Sequence, residues 1–302
     1  MPPTPQYAWP LLGARLGARL WVKHENHTPT GAFKVRGGLV YLDRLMQREP
    51  HCPGVISATR GNHGQSVGFA AKRHGLPAVI VMPRGNSVEK NNAMRSLGVE
   101  LIEYGEDFQA SREHAAVLAV ERGLHFIPSF HRDLMLGVAS YGLELMRAVP
   151  DLDVLYVPIG MGSGVCSMIA AREALGRKLE IIGVVSAHAP AYALSFDAGH
   201  PLAAPVSTRL ADGMACRIAD AEPLGIIAAG ASRIVQVSDA QIAEAMRILF
   251  SDTHNVGEGA GVAGLAAALS ERERIAGKSV AVVLSGGNVD RDVFGEVLTE
   301  VA

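Results

Sequence analysis

Four short stretches of the chain carry residue types that could do chemistry. The first is Thr28–Gly38, where Lys34 sits between Phe33 and Val35, with Gly31 on one side and Gly37 and Gly38 on the other. Lysine is scarce here; the others are Lys23, Lys72, Lys90, Lys178 and Lys278. A lysine drawn out of water has a lowered pKa, and its neutral amine can attack an aldehyde carbon. The same segment also suits a lysine that snorkels near a helix start. The second stretch, Ser57–Gln65, gathers hydroxyls, a guanidinium, an amide and an imidazole into one turn. Backbone N–H groups at such a turn suit a carboxylate; an ordinary strand-to-helix loop is the alternative. The third, Val157–Gly164, is a glycine-rich helix start whose free amides suit a phosphate. It lacks the Gly-Lys-Ser/Thr of a triphosphate loop, and its third glycine falls one position early for G-x-G-x-x-G. A tight structural turn is the alternative. The fourth is Leu284-Ser-Gly-Gly-Asn-Val289, where Ser285 could reach a ligand and the glycines clear space for it.

Such stretches need elements that bring them to a common end of a sheet. Apolar runs at 20–23, 54–57, 78–82, 99–102, 124–127, 154–159, 180–185, 234–237 and 279–284 read as strands. Helical spacing separates most of them, at about 36–47, 64–74, 87–97, 107–122, 137–148, 164–175 and 259–273, with another helix starting at Ser238. This βαβ rhythm predicts an α/β fold with parallel sheets. In such sheets ligands bind at the carboxyl ends of strands, where three of the four stretches fall. Residues 187–230 have weak periodicity, and no element is placed there. The rhythm breaks near 128–132. The expected organisation is a large domain, 1–53 with 131–302, and a small substrate-binding domain, 54–130.

Composition narrows the class. A net charge of -2 carries no footprint for nucleic acid or an acidic membrane. Cys52, Cys166 and Cys216 are odd in number and lack metal-ligand spacing, which fits a reducing cytoplasm. Met1-Pro-Pro-Thr-Pro lacks the parts of a signal peptide, and no apolar run reaches the roughly 18 residues of a membrane span. A cytoplasmic location is expected. No metal ligands can be assigned.

A reactive lysine, a phosphate cradle, a carboxylate-binding turn and a strand-end serine together describe a site for pyridoxal 5'-phosphate held as a Schiff base. The motifs make the match specific. Thr30-Gly-Ala-Phe-Lys-Val-Arg-Gly37 resembles the T-G-S-F-K-x-R-G signature of the fold-type II pyridoxal-phosphate enzymes, in the threonine/serine dehydratase and serine racemase group. Lys23-His-Glu25 resembles that signature's leading K-x-E, and Gly61-Asn-His-Gly-Gln65 its G-N-H-A/G-Q. Ala211-Asp-Gly213, Glu258-Gly-Ala-Gly261 and Leu284-Ser-Gly-Gly-Asn288 follow in the family's order. The resemblance runs from about residue 20 to about 290.

It implies a tryptophan synthase β-like fold: two open twisted α/β domains with the cofactor in the cleft. It implies that Lys34 is the Schiff-base lysine and Cα base, that Phe33 packs near the ring, and that Asn62 bonds the ring hydroxyl oxygen. Gly160, Met161, Gly162, Ser163 and Gly164 then hold the phosphate. Ser285 faces the pyridine nitrogen with Glu258 nearby, and Thr59, Arg60, Asn62 and His63 grip the substrate. A neutral serine at the ring nitrogen does not enforce its protonation, which favours β-elimination over transamination. The expected reaction is dehydration and deamination of threonine, serine or a related hydroxy amino acid to a 2-oxo acid and ammonia. The alternatives are a racemase, a lyase for an unusual substrate of compatible-solute or diamino-acid breakdown, and a non-catalytic amino-acid sensor. Relatives are commonly dimers or tetramers, so a homo-oligomer is expected.

Some residues depart from the family pattern. Arg60 replaces the small or hydroxyl residue before G-N-H; an always-protonated guanidinium is a poor acid/base for racemisation but a good anion ligand. It could take the α-carboxylate or a second polar group on the substrate. Met161 and Ser163 stand where glycines are common, and Gly137-Val-Ala-Ser140 replaces A-G-Q-G-T. Arg112 lies in a segment that approaches the site in relatives; a surface helix position is the plainer expectation.

Overall fold

The computed structural model describes residues 1–299. In chain order these are β1 (Gln6–Ala8), α1 (Pro10–Leu16), β2 (Arg19–His24), α2 (Lys34–Arg48), β3 (Val55–Ala58), α3 (Asn62–Arg73), β4 (Ala78–Met82), α4 (Val88–Ser96), β5 (Glu100–Glu103), α5 (Phe108–Arg122), β6 (His125–Phe126) and α6 (Arg132–Ala148). There follow β7 (Val154–Pro158), α7 (Ser163–Ala174), β8 (Glu180–Ser186), α8 (Ala191–Ala198), α9 (Ala221–Gly230), β9 (Arg233–Val237), α10 (Asp239–Thr253), α11 (Gly259–Ser270), α12 (Arg272–Ile275), β10 (Ser279–Leu284) and α13 (Arg291–Thr299). The chain forms two compact units: Met1–His27 with the chain from Val138 onward, and Thr28–Gly137.

The smaller unit is a parallel four-stranded sheet in the order β5-β4-β3-β6. Side chains alternate across a strand, so each strand feeds two layers. Val55, Ile80 and Met82 face Leu42, Leu45, Val67 and Ala71 of α2 and α3. Ile56, Ala58, Val79 and Val81 face Ala115 and Ala119 of α5. Helix α2 lies directly on α3: a Cβ at Gly38 would fall 2.3 Å from Ser66 Oγ, so only glycine admits this approach. That packing groups residues 28–53 with the smaller unit, whereas the sequence reading assigned them to the larger domain.

The larger unit is a six-stranded sheet in the order β1-β2-β10-β7-β8-β9. Only β1 runs antiparallel, against β2. Strand β10 is buried at every position, as expected of a parallel strand covered on both faces. Val154, Tyr156, Ile182, Val280 and Val282 pack in one core with Ile242, Met246, Val262 and Leu265 of α10 and α11. Among the described residues no helix is long and apolar enough to cross a membrane.

Lys23 of the K-x-E motif anchors this unit. Its side chain is 0% exposed, and Nζ donates to Thr4 O at 2.7 Å, Gln6 Oε1 at 3.1 Å and Glu144 Oε2 at 2.6 Å. Thr4 Oγ1 in turn donates to Glu25 Oε1 at 2.6 Å. The motif thus ties the N-terminal segment and α6 to β2. Breaking a buried ion pair from one side strands the other charge, at a cost of about 3–5 kcal/mol. Glu144 keeps 18% of its side chain in solvent and can rehydrate. Lys23→Met should therefore lower unfolding free energy toward the bottom of that range, about 3 kcal/mol, read from urea denaturation. A Lys23→Met,Glu144→Leu double variant should recover most of the loss.

Candidate active site

In the smaller unit the lysine segment is built by a local clamp. Thr28 Oγ1 accepts from Ala32 N at 2.9 Å and donates to Ala32 O at 2.8 Å. Gly31, at φ +67°, closes the turn in a conformation that favours glycine. Helix α2 then begins at Lys34 itself, with Phe33 as its cap. Lys34 Nζ lies 4.8 Å from the centre of the Phe33 ring. Ser66 Oγ donates to the Lys34 carbonyl at 2.6 Å, fixing the lysine's backbone to the first turns of α3.

Strand β3 delivers the carboxylate-binding turn to the start of α3. Thr59 N donates to Val81 O at 3.1 Å, and Thr59 Oγ1 accepts from Gly61 N at 3.0 Å. Gly61 caps α3, Asn62 is its first residue, and His63 and Gln65 lie in its first turn. His63 is 5% exposed. Its pKa is pushed down to about 3, first by burial and then by the positive charge of Lys34, so the imidazole is neutral. The Ser66 bond to the Lys34 carbonyl sets the start of α2 against the first turns of α3, which carry His63. Among the described residues His63 Nε2 and Gln65 Nε2 have no hydrogen-bond partner. Arg60 is half-buried and makes no hydrogen bond or ion pair among the described residues.

In the larger unit β7 runs into the glycine loop and α7. Gly162 caps α7 at φ +92°. A Cβ at Gly160 would fall 2.4 Å from Gly213 O, so the Ala211-Asp-Gly213 motif packs straight onto this loop. Ser163 and Gly164 open α7, whose first amides lack carbonyl partners within the helix. Met161 O accepts from the Tyr192 hydroxyl at 3.3 Å, and Met161 Sδ accepts from Cys216 Sγ at 3.6 Å. Ser285 follows the last residue of β10, and its N–H donates to Gly261 O at 3.3 Å. Glu258 caps α11, and its N–H donates to Gly286 O at 3.1 Å. These bonds bring Ser285 and Glu258 together.

The residues fit pyridoxal phosphate by their chemistry. The smaller unit holds an amine at a helix start beside buried, unpartnered polar nitrogens. The larger unit holds a glycine loop at a helix start whose first amides lack carbonyl partners within the helix, and a hydroxyl at a strand end. Among the described residues no cluster of His, Cys, Asp or Glu could hold a metal ion.

The sequence reading gave His24 no role. His24 ends β2 in register with Leu284, the residue before Ser285. Trp9 Nε1 donates to His24 Nε2 at 3.0 Å, and the ring stacks on His27 with centres 5.0 Å apart. Burial, then the neighbouring His27, pushes its pKa down to about 4. Tyr192 and Cys216 were likewise missed, because they lie in the segment without periodicity.

Comparison with known proteins gives a consistent picture. The family described as "Pyridoxal-phosphate dependent enzyme" matches residues 1–286. An L-threonine ammonia-lyase of Thermotoga maritima is 32% identical over 285 residues, spanning 94% of this chain and 71% of the relative. An L-threo-3-hydroxyaspartate ammonia-lyase of Saccharomyces cerevisiae is 31% identical over 297 residues, spanning 98% of this chain and 91% of the relative. The solved structure of processed threonine deaminase isoform 2 from Solanum lycopersicum superposes with a TM-score of 0.92 at 28% identity, covering 99% of this chain and 89% of the other.

Proposed function

We propose that this chain, which belongs to the family of pyridoxal-phosphate dependent enzymes, is an ammonia-lyase acting on L-threonine, L-serine or a related β-hydroxy amino acid. Its fold is that of the fold-type II members. The yeast relative's name keeps the substrate class wider than threonine and serine. The observation that carries the reading is the strand-end serine. On this reading Ser285, which follows the last residue of β10, would offer the pyridine nitrogen a neutral hydroxyl in place of the carboxylate that would keep it protonated.

Bound pyridoxal phosphate supplies an aldehyde carbon and an electron-accepting ring that make a Cα–H acidic. Lys34 would hold that carbon through Nζ, and the same amine, when not so engaged, would serve as the base for the Cα proton. The amides of Ser163 and Gly164, with Gly160, Met161 and Gly162, would hold the phosphate at the start of α7. Asn62 would bond the ring hydroxyl, Phe33 and Glu258 would border the ring, and Ser285 would meet its nitrogen. Thr59, Asn62 and His63 orient the α-carboxylate at the start of α3. Neutral His63 does this without adding a second cation beside Lys34.

In the net reaction the Cα–H and Cβ–O bonds break and water leaves. The resulting enamine takes up water and yields a 2-oxo acid and ammonia. Racemisation needs a second group that exchanges a proton near neutral pH; Arg60 cannot serve.

The same proposal includes a cytoplasmic homo-oligomer, a dimer or tetramer by light scattering, that degrades its amino acid. The holoenzyme given L-threonine or L-serine should release oxo acid and ammonia in equal amounts. Chiral chromatography should show no D-isomer. Accumulation of D-isomer without oxo acid would overturn the reading.

A further inference from the structure

The turn between β3 and α3 has more anion-binding capacity than one carboxylate uses. The amides of Asn62, His63 and Gly64 open α3, and a helix start offers such amides no carbonyl of its own. One carboxylate satisfies them. Arg60 stands just outside the helix, before the cap Gly61. Its guanidinium makes no hydrogen bond or ion pair among the described residues, and the first turn of α3 holds no acidic residue. Arg60 is half-buried, so part of its hydration is already lost without a protein partner in return. A second cationic side chain reaches the turn from α4. Lys90 is 9% exposed, and its stem lies on Gly61, where a Cβ would fall 2.7 Å from Lys90 Cδ. The buried Nε2 atoms of His63 and Gln65, in the same turn, also await polar partners.

Threonine gives Arg60 nothing to bind once its α-carboxylate is held by the helix, because the rest of that substrate is a methyl and a leaving hydroxyl. A planar guanidinium matches a second carboxylate through two parallel N–H···O bonds. We propose that Arg60 is a specificity-determining residue that pairs with a second carboxylate of the substrate. The preferred substrate is then a β-hydroxy amino acid whose β-carbon bears a carboxylate, 3-hydroxyaspartate being the smallest. This rests on the ammonia-lyase reading above. The chemistry balances as before: water leaves, water re-enters, and the products are oxaloacetate and ammonia, with no oxidant.

Two measurements on the holoenzyme test it. In the first, kcat/KM is measured for 3-hydroxyaspartate and L-threonine. The expected ratio favours hydroxyaspartate by at least about 30-fold, the value of charge-assisted hydrogen bonds. Arg60→Ser should erase that ratio, and Arg60→Lys should restore part of it. The second is calorimetric binding of L-aspartate against L-2-aminobutyrate, neither of which carries the leaving hydroxyl. Wild type should bind aspartate at least about tenfold more tightly, and Arg60→Ser should not. Equal binding of the two by wild type, or a preference that survives Arg60→Ser, would overturn the assignment. If no hydroxy amino acid is turned over, the ammonia-lyase reading falls, and the binding comparison still decides the role of Arg60.

Discussion

Lys34→Ala should lose at least about a thousandfold in ammonia release, combining loss of the covalent anchor with loss of the Cα base. It should also lose the visible absorbance of covalently held cofactor, which reads the anchor separately from turnover. The fold should survive. Lys34 is half-buried, and its carbonyl, which accepts from Ser66 Oγ, remains in the variant. Alanine is also the best helix former, and position 34 is the first of α2. The melting temperature of the cofactor-free protein should therefore move little. Lys34→Arg separates charge from chemistry. It keeps a cation beside Phe33 and His63 but has no amine to join an aldehyde, so it should be as inactive as the alanine variant. Turnover by either variant within tenfold of wild type would remove Lys34 from both roles. A Lys34→Ala variant that lost turnover but kept the protein's biological effect would instead revive the reading of a sensor that needs no catalysis.

How far the sequence reaches depends on whether a feature is local. Strands β4, β7 and β10 are continuous apolar runs, buried throughout or nearly so, and such runs are visible in any window. Periodicity starts α2 at about 36, two residues after its first residue Lys34, because the apolar residues that set the period, Leu39, Val40, Leu42 and Leu45, all lie further on. Gly38 lies inside the helix, where it admits Ser66. Strand β1 and helix α1 escaped notice. The first has three partly or fully exposed residues, and the second is seven residues long and opens on proline. Helices α8 and α9 lie in the segment of weak periodicity and carry little amphipathic contrast. Within the site, Lys34 and the glycine turns are legible because spacing and residue type carry their chemistry. The clamp of Thr28 on Ala32 and the neutral state of His63 depend on burial and exact distance. The bond from Trp9 to His24 crosses between elements 15 residues apart, and no periodicity encodes it.

That bond and the buried His63 lead to a large expected effect of acid. Both histidines are neutral in the folded chain, with pKa values pushed down to about 4 for His24 and about 3 for His63. In the unfolded chain each returns to roughly 6.5. Above that pH neither state binds a proton, and neither histidine affects stability. As pH falls below it, the unfolded chain takes up protons that the folded chain refuses, and folding weakens. The loss is about 1.4 kcal/mol per pH unit per histidine. It continues until His24 titrates near pH 4 and His63 near pH 3. Between pH 6.5 and 4.5 the two together should remove about 5 kcal/mol, a large share of an ordinary domain's stability. The two contributions can be separated, because Trp9 and Trp21 are the only tryptophans and both lie in the larger unit with His24. Urea unfolding followed by tryptophan fluorescence reads that unit, while circular dichroism reads both units. His24→Gln should flatten the fluorescence midpoint against pH. His63→Gln should flatten the dichroism midpoint, and should flatten the fluorescence midpoint only if the two units unfold together. A wild-type midpoint that stays level from pH 6.5 to 4.5 would show that neither imidazole is held neutral. His63 would then stand as a second cation beside Lys34, against the neutral carboxylate-orienting role given to it here.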